Sequence, residues 1–156
     1  MAYVAVVGPD AGPRAFEDLL GQAREVGRLL AAAGAIVVCG GLGGAMEAVS
    51  EGVAEAGGSS VGLLPGRDRT DANASLSIAL PTGLGEGRNW LVVCASDVVI
   101  AVGGGYGTLS EIALALRSGR DVVGLGTWAI ANDNALMHVA DSAADAVAQA
   151  LRLADS

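Results

Sequence analysis

The chain contains no lysine: all nine of its basic residues are arginines. A Walker-type phosphate loop needs its lysine, and a pyridoxal phosphate enzyme needs one for its Schiff base, so both classes are excluded. Positive charge is scarce altogether. Nine arginines against 17 acidic residues leave a net charge of −8 and an isoelectric point near 4.4, which argues against nucleic acid or an acidic membrane surface as partner. There is one histidine and there are two cysteines, without the spacing of a metal site. No Gly-x-Ser-x-Gly elbow marks a hydrolase triad. His138 stands apart from any Asp or Ser constellation and reads as structural. Cys39 and Cys94 sit inside apolar runs and read as buried thiols of a reducing compartment. Long hydrophobic runs are also missing. Mean hydropathy is high at +0.50, yet no apolar stretch reaches the roughly 18–20 residues that a membrane span needs. Neither a basic region nor a cleavage site precedes the strand-like Tyr3–Val7, so no signal peptide is expected and a cytoplasmic location is.

What is present is alanine, valine and leucine in short runs between 24 glycines. Strands buried on both faces of a parallel sheet read this way. Strands are expected at 3–7, 35–39, 60–64, 77–80, 97–102, 121–125 and 138–140, the last a short edge strand. Helices are expected at 15–33, 45–56, 88–95, from just after Thr108 to about Arg117, and at 142–153, the last capped by Asp141 or Ser142. Residues 65–76 form the longest polar loop and 81–87 a second irregular segment. This alternation predicts an α/β fold: one Rossmann-like domain over 1–156, a doubly wound, mostly parallel sheet of six or seven strands flanked by helices. Ligands of such sheets bind at the carboxyl ends of the strands, where the strand order reverses.

Two strand-to-helix turns share one pattern. Gly40-Gly41-Leu42-Gly43-Gly44-Ala45-Met46-Glu47 and Gly104-Gly105-Tyr106-Gly107-Thr108-Leu109-Ser110-Glu111 both read Gly-Gly-x-Gly, a small residue, and Glu three positions on. Glycines let backbone N–H groups approach a ligand, and the first helical turn aims unpaired donors at it. A single such turn also occurs for packing alone; two of one shape point to a phosphate-bearing small molecule. Gly40, Gly41, Gly43, Gly44, Gly104, Gly105, Tyr106, Gly107, Thr108 and Glu111 are therefore the candidate ligand-binding residues. Neither turn has the third glycine of the dinucleotide fingerprint, for Met46 and Ser110 stand there. A nicotinamide or flavin cofactor is accordingly disfavoured.

Arg88 opens a helix directly after the flexible 81–87 segment. From there it can swing over the mouth of the site and fork onto phosphate or ribose oxygens. Glu47 reads as a helix-surface or ribose-contacting residue. Arg67 and Arg69 are either solvated loop charges or phosphate contacts from a mobile lid, and Trp90 and Trp128 read as core or interface residues.

Taken together, the 104–111 motif, Gly40–Met46 and Gly87-Arg88-Asn89 resemble the LONELY GUY (LOG) superfamily from Tyr3 to about Trp128. That group long carried the label "lysine decarboxylase-like", and a chain without lysine fits with the label being wrong. LOG enzymes are dimeric phosphoribohydrolases that release cytokinin bases from nucleoside monophosphates. The resemblance matches Arg88 and Glu111 to the catalytic pair, and Gly105, Gly107 and Thr108 to the phosphate cradle. Two departures stand out. LOG proteins carry proline where this chain has Gly103, and an Arg-Lys pair where it has Arg88-Asn89. The short length and the Gly-Gly-Gly-x-Gly-Thr-Leu-Ser-Glu form look more like the molybdenum cofactor carrier branch, whose members bind a phosphorylated pterin without known turnover.

The preferred expectation is thus a cytoplasmic homodimer or higher homo-oligomer that binds a phosphorylated, nucleotide-like ligand. The ligand is the molybdenum cofactor or an AMP-like nucleotide; no metal site, required cofactor, nucleic acid or membrane partner is expected. The alternative is a LOG-type enzyme that cleaves the N-glycosidic bond of nucleoside 5′-monophosphates, with Arg88 and Glu111 as its catalytic residues. A purely structural module leaves the doubled turns without a purpose.

Overall fold

A computed structural model describes residues 1–10, 16–131 and 135–156. Seven strands, β1 (Tyr3–Val7), β2 (Ile36–Cys39), β3 (Ser59–Leu64), β4 (Ile78–Pro81), β5 (Val98–Val102), β6 (Val122–Leu125) and β7 (Met137–Val139), alternate with five α-helices. These are α1 (Phe16–Ala32), α2 (Ala45–Glu55), α3 (Arg88–Cys94), α4 (Tyr106–Arg117) and α5 (Ala143–Ala154). Short 3₁₀ turns at Arg69–Asp71 and Gly85–Gly87 occupy the two irregular segments. The expected elements are all found, with most ends moved by a residue or two; α4 begins at Tyr106, inside the segment expected to form the turn. The expected start of the first helix at Ala15 lies outside the described residues.

Every strand pairing is parallel, in the order β4-β3-β2-β1-β5-β6-β7. The valine-rich runs explain this arrangement. β5 is buried along its whole length, and only a strand covered on both faces is apolar at consecutive positions. Its side chains alternate between two cores. Val98, Ile100 and Val102 join α1, α2 and α5 on one face, and Val99 and Ala101 join α3 and α4 on the other. Order reverses between β1 and β5, since β1 runs on to β2 on one side and β5 to β6 on the other.

Ser142 caps α5, accepting the Asp145 N–H at 3.1 Å. Two readings of the sequence need correction. Cys39 is buried, but Cys94 is exposed, because it closes α3 on the helix's outer side. His138 is not isolated: its Nε2 lies 2.7 Å from Asp121 Oδ1, since β7 pairs with β6 and brings the edge strand alongside the residue that precedes it. Of the two readings open for Trp90, core or interface, its exposure on α3 removes the first. No helix among the described residues is long and apolar enough to cross a membrane.

Candidate functional site

At the carboxyl ends of β1 and β5, where the order reverses, lies a cleft of about 380 Å³. That falls within the roughly 300–1,000 Å³ of small-molecule sites. The turn after β5 forms one wall. Gly103 adopts φ +69°, and a Cβ there would run into Leu19 of α1. Proline, with φ held near −65°, could not adopt this conformation. Gly105 is extended at the N-cap of α4, and no side chain caps the helix. The first-turn N–H groups of Tyr106, Gly107 and Thr108 have no acceptor within their own helix. All three residues line the cleft, as do Gly104, Gly105 and Glu111.

The floor is polar and buried. Arg88 and Glu111 are each 7% exposed and Thr108 is 3% exposed. Arg88 Nη1 stands 3.7 Å from Glu111 Oε1 and donates to Asn89 Oδ1 at 2.8 Å. Asn89 Nδ2 in turn donates to Ser110 Oγ at 3.2 Å, whose hydroxyl donates to Gly107 O at 2.7 Å. A chain of hydrogen bonds therefore ties the start of α3 to the first turn of α4. Arg88 is no swinging lid; it is locked into the floor. Burial pushes the Glu111 carboxyl up from 4.5 to about 7, and the opposing pull of Arg88 does not cancel it. Two buried polar atoms of these residues, Arg88 Nε and Thr108 Oγ1, have no partner among the described residues. Leaving such groups buried and unpaired costs about 1–3 kcal/mol each. Arg88 Nε can only donate, and the Thr108 hydroxyl can donate or accept.

The other glycine turn behaves differently. Gly40, Gly41, Gly43 and Gly44 do not line this cleft, whereas Leu42 and Met46 do. A Cβ on Gly40 would collide with the Arg88 guanidinium and lie 2.6 Å from Met46 Sδ; one on Gly41 would lie 2.8 Å from Leu64. Gly44, at φ +62°, is pressed against the backbone of Pro9 and Asp10, where Ala45 N donates to Pro9 O at 2.9 Å. Gly44 and Glu47 instead line a separate hollow between α1 and α2. The polar 65–76 loop is tied down over this turn by Asn73, which donates through its backbone N to Gly41 O and through its side chain to Leu42 O, both at 3.0 Å. Neither Arg67 nor Arg69 lines the cleft.

Sequence reasoning missed part of the wall. Gly8, Pro9 and Asp10, the turn after β1, line the cleft beside Glu86 and Asn89. The signal was present as Gly-Pro-Asp at the end of a buried strand. Its weight depended on β1 lying next to β5. Trp128 was left between core and interface; in the structure its Nε1 donates to Gly105 O at 3.2 Å, behind the glycine wall.

Comparison with known proteins adds to this geometry. The model of the SLOG cluster4 family matches residues 1–153. An uncharacterized protein of Archaeoglobus fulgidus is 46% identical over 109 residues, 70% of this chain and 72% of that protein. Among solved structures, the molybdenum cofactor binding protein of Rippkaea orientalis superposes with a TM-score of 0.88 at 32% identity, covering 97% of this chain and 96% of that one. The Moco carrier protein of Chlamydomonas reinhardtii does so at 0.88 and 38% identity, again covering 97% and 96%.

Proposed function

We propose, from the premise that the chain belongs to the SLOG cluster4 family and stands near the molybdenum cofactor carrier branch of the LOG-like superfamily, that its cleft binds a phosphorylated heterocyclic molecule, with the molybdenum cofactor as cargo. One observation carries this reading: the uncapped start of α4 opens on a cleft whose lining includes Arg88 and Thr108, each with a buried polar atom that finds no partner among the described residues. The phosphate takes the N–H groups of the first turn of α4 and the Thr108 hydroxyl, as an anion does at a helix N-terminus. Arg88 Nε donates to a neighbouring oxygen of the ligand. The site then needs no lysine, which the chain lacks. Two cysteines without a disulfide and the absence of a membrane-spanning helix among the described residues support a cytoplasmic setting.

Calorimetry with molybdopterin and AMP tests the reading. Binding is expected, and Gly107→Asp is expected to weaken it more than tenfold, because a carboxylate then stands beside the phosphate. If no phosphorylated ligand binds, the reading fails.

A second reading, hydrolysis of a nucleoside 5′-monophosphate, is favoured by Glu111, a buried carboxyl that titrates near neutrality beside an arginine. Water adds at the sugar C1′ as the C1′–N bond breaks; the base leaves with a proton and ribose 5-phosphate remains. Glu111 would take the proton from that water or stabilise the oxocarbenium-like transition state. Incubation with AMP followed by assay for free adenine separates the two readings. Turnover that Glu111→Ala abolishes would establish the enzyme, and stoichiometric binding without turnover the carrier.

We also propose that two copies of the chain pair. Ile78, Leu80, Leu84 and Trp90 are large, apolar and 43–57% exposed. Ile78 and Leu80 extend the sheet face of Val61 and Leu63, in register across β3 and β4. An apolar face left exposed at the edge strand of a sheet fits an interface. Sedimentation is expected to show a dimer or larger assembly, and Leu80→Glu to dissociate it.

A further inference from the structure

Two aromatic residues stand where the cleft opens. The chain has only five aromatic residues in all, so this pairing is not a consequence of abundance. Tyr106, the first residue of α4, lines the cleft yet is 85% exposed. Its ring lies 6.0 Å from that of Trp128, tilted by 31°. Trp128 is held from behind by the hydrogen bond from its Nε1 to Gly105 O. Gly104 lets it come this close, since even a Cβ there would sit 3.3 Å from Nε1. The result is a flat ring anchored on the glycine wall, with a second ring beside it and open to solvent. Folding supplies no reason to leave Tyr106 out in water; a ring that stacks on it does. Besides the buried Glu111, the lining offers the carboxylates of Asp10 and Glu86, and no cation other than Arg88 among the described residues. Pro9, next to Asp10, is close enough that a Cβ on Gly105 would sit 3.5 Å from its own Cβ, so the turn that carries Asp10 closes in beside the turn that carries Tyr106, and both residues line the cleft.

We propose that this mouth is the subsite for the ligand's ring: Tyr106, buttressed by Trp128, stacks on a planar heterocycle whose N–H edge the carboxylates of Asp10 and Glu86 accept. The subsite deepens the phosphate reading of the same cleft and rests on it for the ligand's other end. It adds the ring class, a purine or pterin whose amino and imino N–H groups donate to carboxylates, where an ionised phosphate would offer them no donor. Stacking of this kind tolerates differences between rings because every such ring presents a π-face.

The test measures binding of GMP, guanosine and ribose 5-phosphate to the full chain, wild type and Tyr106→Ala, by calorimetry. An exposed tyrosine can be truncated without disturbing the fold, and circular dichroism checks this. The expected result is a loss of about tenfold or more in affinity for GMP and guanosine, from lost base–aromatic stacking, with ribose 5-phosphate unchanged. In a Trp90→Phe background, where Trp128 is the sole tryptophan, GMP is expected to quench its fluorescence and ribose 5-phosphate is not. Equal losses for all three ligands, or none for GMP, would overturn the ring subsite and leave the phosphate reading standing. Binding of guanosine, sensitive to Tyr106→Ala, with no binding of ribose 5-phosphate would sink the phosphate reading and keep the ring subsite. Failure of all three to bind overturns both.

Discussion

The two glycine turns differ hardly at all in composition, yet the fold uses them for different ends. The turn after β5 keeps its glycines on the cleft: Gly104, Gly105 and Gly107 line it, and at Gly107 a Cβ would meet nothing within 4 Å. The turn after β2 spends its glycines on packing, with Gly40 against Arg88 and Met46, and Gly44 against the backbone of the β1 turn. The cause is strand order. Both strands pair with β1, but β5 does so at the reversal and β2 on the side where the winding continues. At the reversal two turns diverge and leave a gap; elsewhere the next turn closes in. A glycine-rich turn is therefore necessary for this kind of site, and the position of its strand decides whether it becomes one.

Substitutions can break or sharpen this contrast. The largest effect is expected at Gly44→Ala, where a methyl group would lie 2.5 Å from Pro9 O and Asp10 backbone atoms while the residue holds φ +62°. Steric overlap and left-handed strain together cost about 4 kcal/mol, visible as an early denaturant midpoint. Next comes Glu111→Gln, through its dependence on pH. The folded carboxyl titrates at about 7 rather than 4.5, so between these values the folded state holds a proton that the unfolded chain has released. Stability contributed at this position is therefore full below pH 4.5, falls as pH rises towards 7, and levels off above it. The stability of wild type minus that of Glu111→Gln, from urea unfolding at a series of pH values, is expected to drop by about 3 kcal/mol across that window. A flat difference would mean that the carboxyl is not buried as described.

A smaller effect is expected at Thr108→Val. Removing a buried hydroxyl without a partner should leave the ligand-free protein as stable or about 1 kcal/mol more so, while weakening ligand binding measured by calorimetry. The smallest is Gly107→Ala, placed in open space at a helix position. Its melting temperature should stay within the change of about 0.5 kcal/mol typical of unencumbered surface sites. If Gly107→Ala proves as damaging as Gly44→Ala, the two turns do not differ as described.

Most of the fold was legible along the chain because its signals are local. Buried strands appear as Val38-, Val99- and Ile100-type runs, helices as three- and four-residue spacing, and turns as glycine after a strand. The candidate wall from Gly104 to Glu111 was legible for the same reason. Less legible was what depends on neighbours distant in sequence. Arg88 follows a glycine-rich segment, which suggested a mobile arm. In the structure Asn89, Ser110 and Glu111 from α3 and α4 hold it in the floor. Cys94 lies in an apolar run but falls on the outer side of a short helix. His138 acquires Asp121 only once β7 pairs with β6.

By itself, then, the sequence determined the alternation of strands and helices, the parallel character of the sheet, the exclusion of lysine-dependent chemistry and the presence of two turns able to meet an anion. These follow from covalent neighbours: burial period, glycine's freedom at φ, and side-chain inventory. Only the tertiary structure decided which turn faces the cleft, that Pro9 and Asp10 complete its wall, that Arg88 is fixed beside a carboxyl raised to about 7, and that Trp128 stands behind Tyr106. Each of these depends on which strands lie side by side. That choice is made by the packing of the two cores on the sheet's faces, and no stretch of the chain carries it alone.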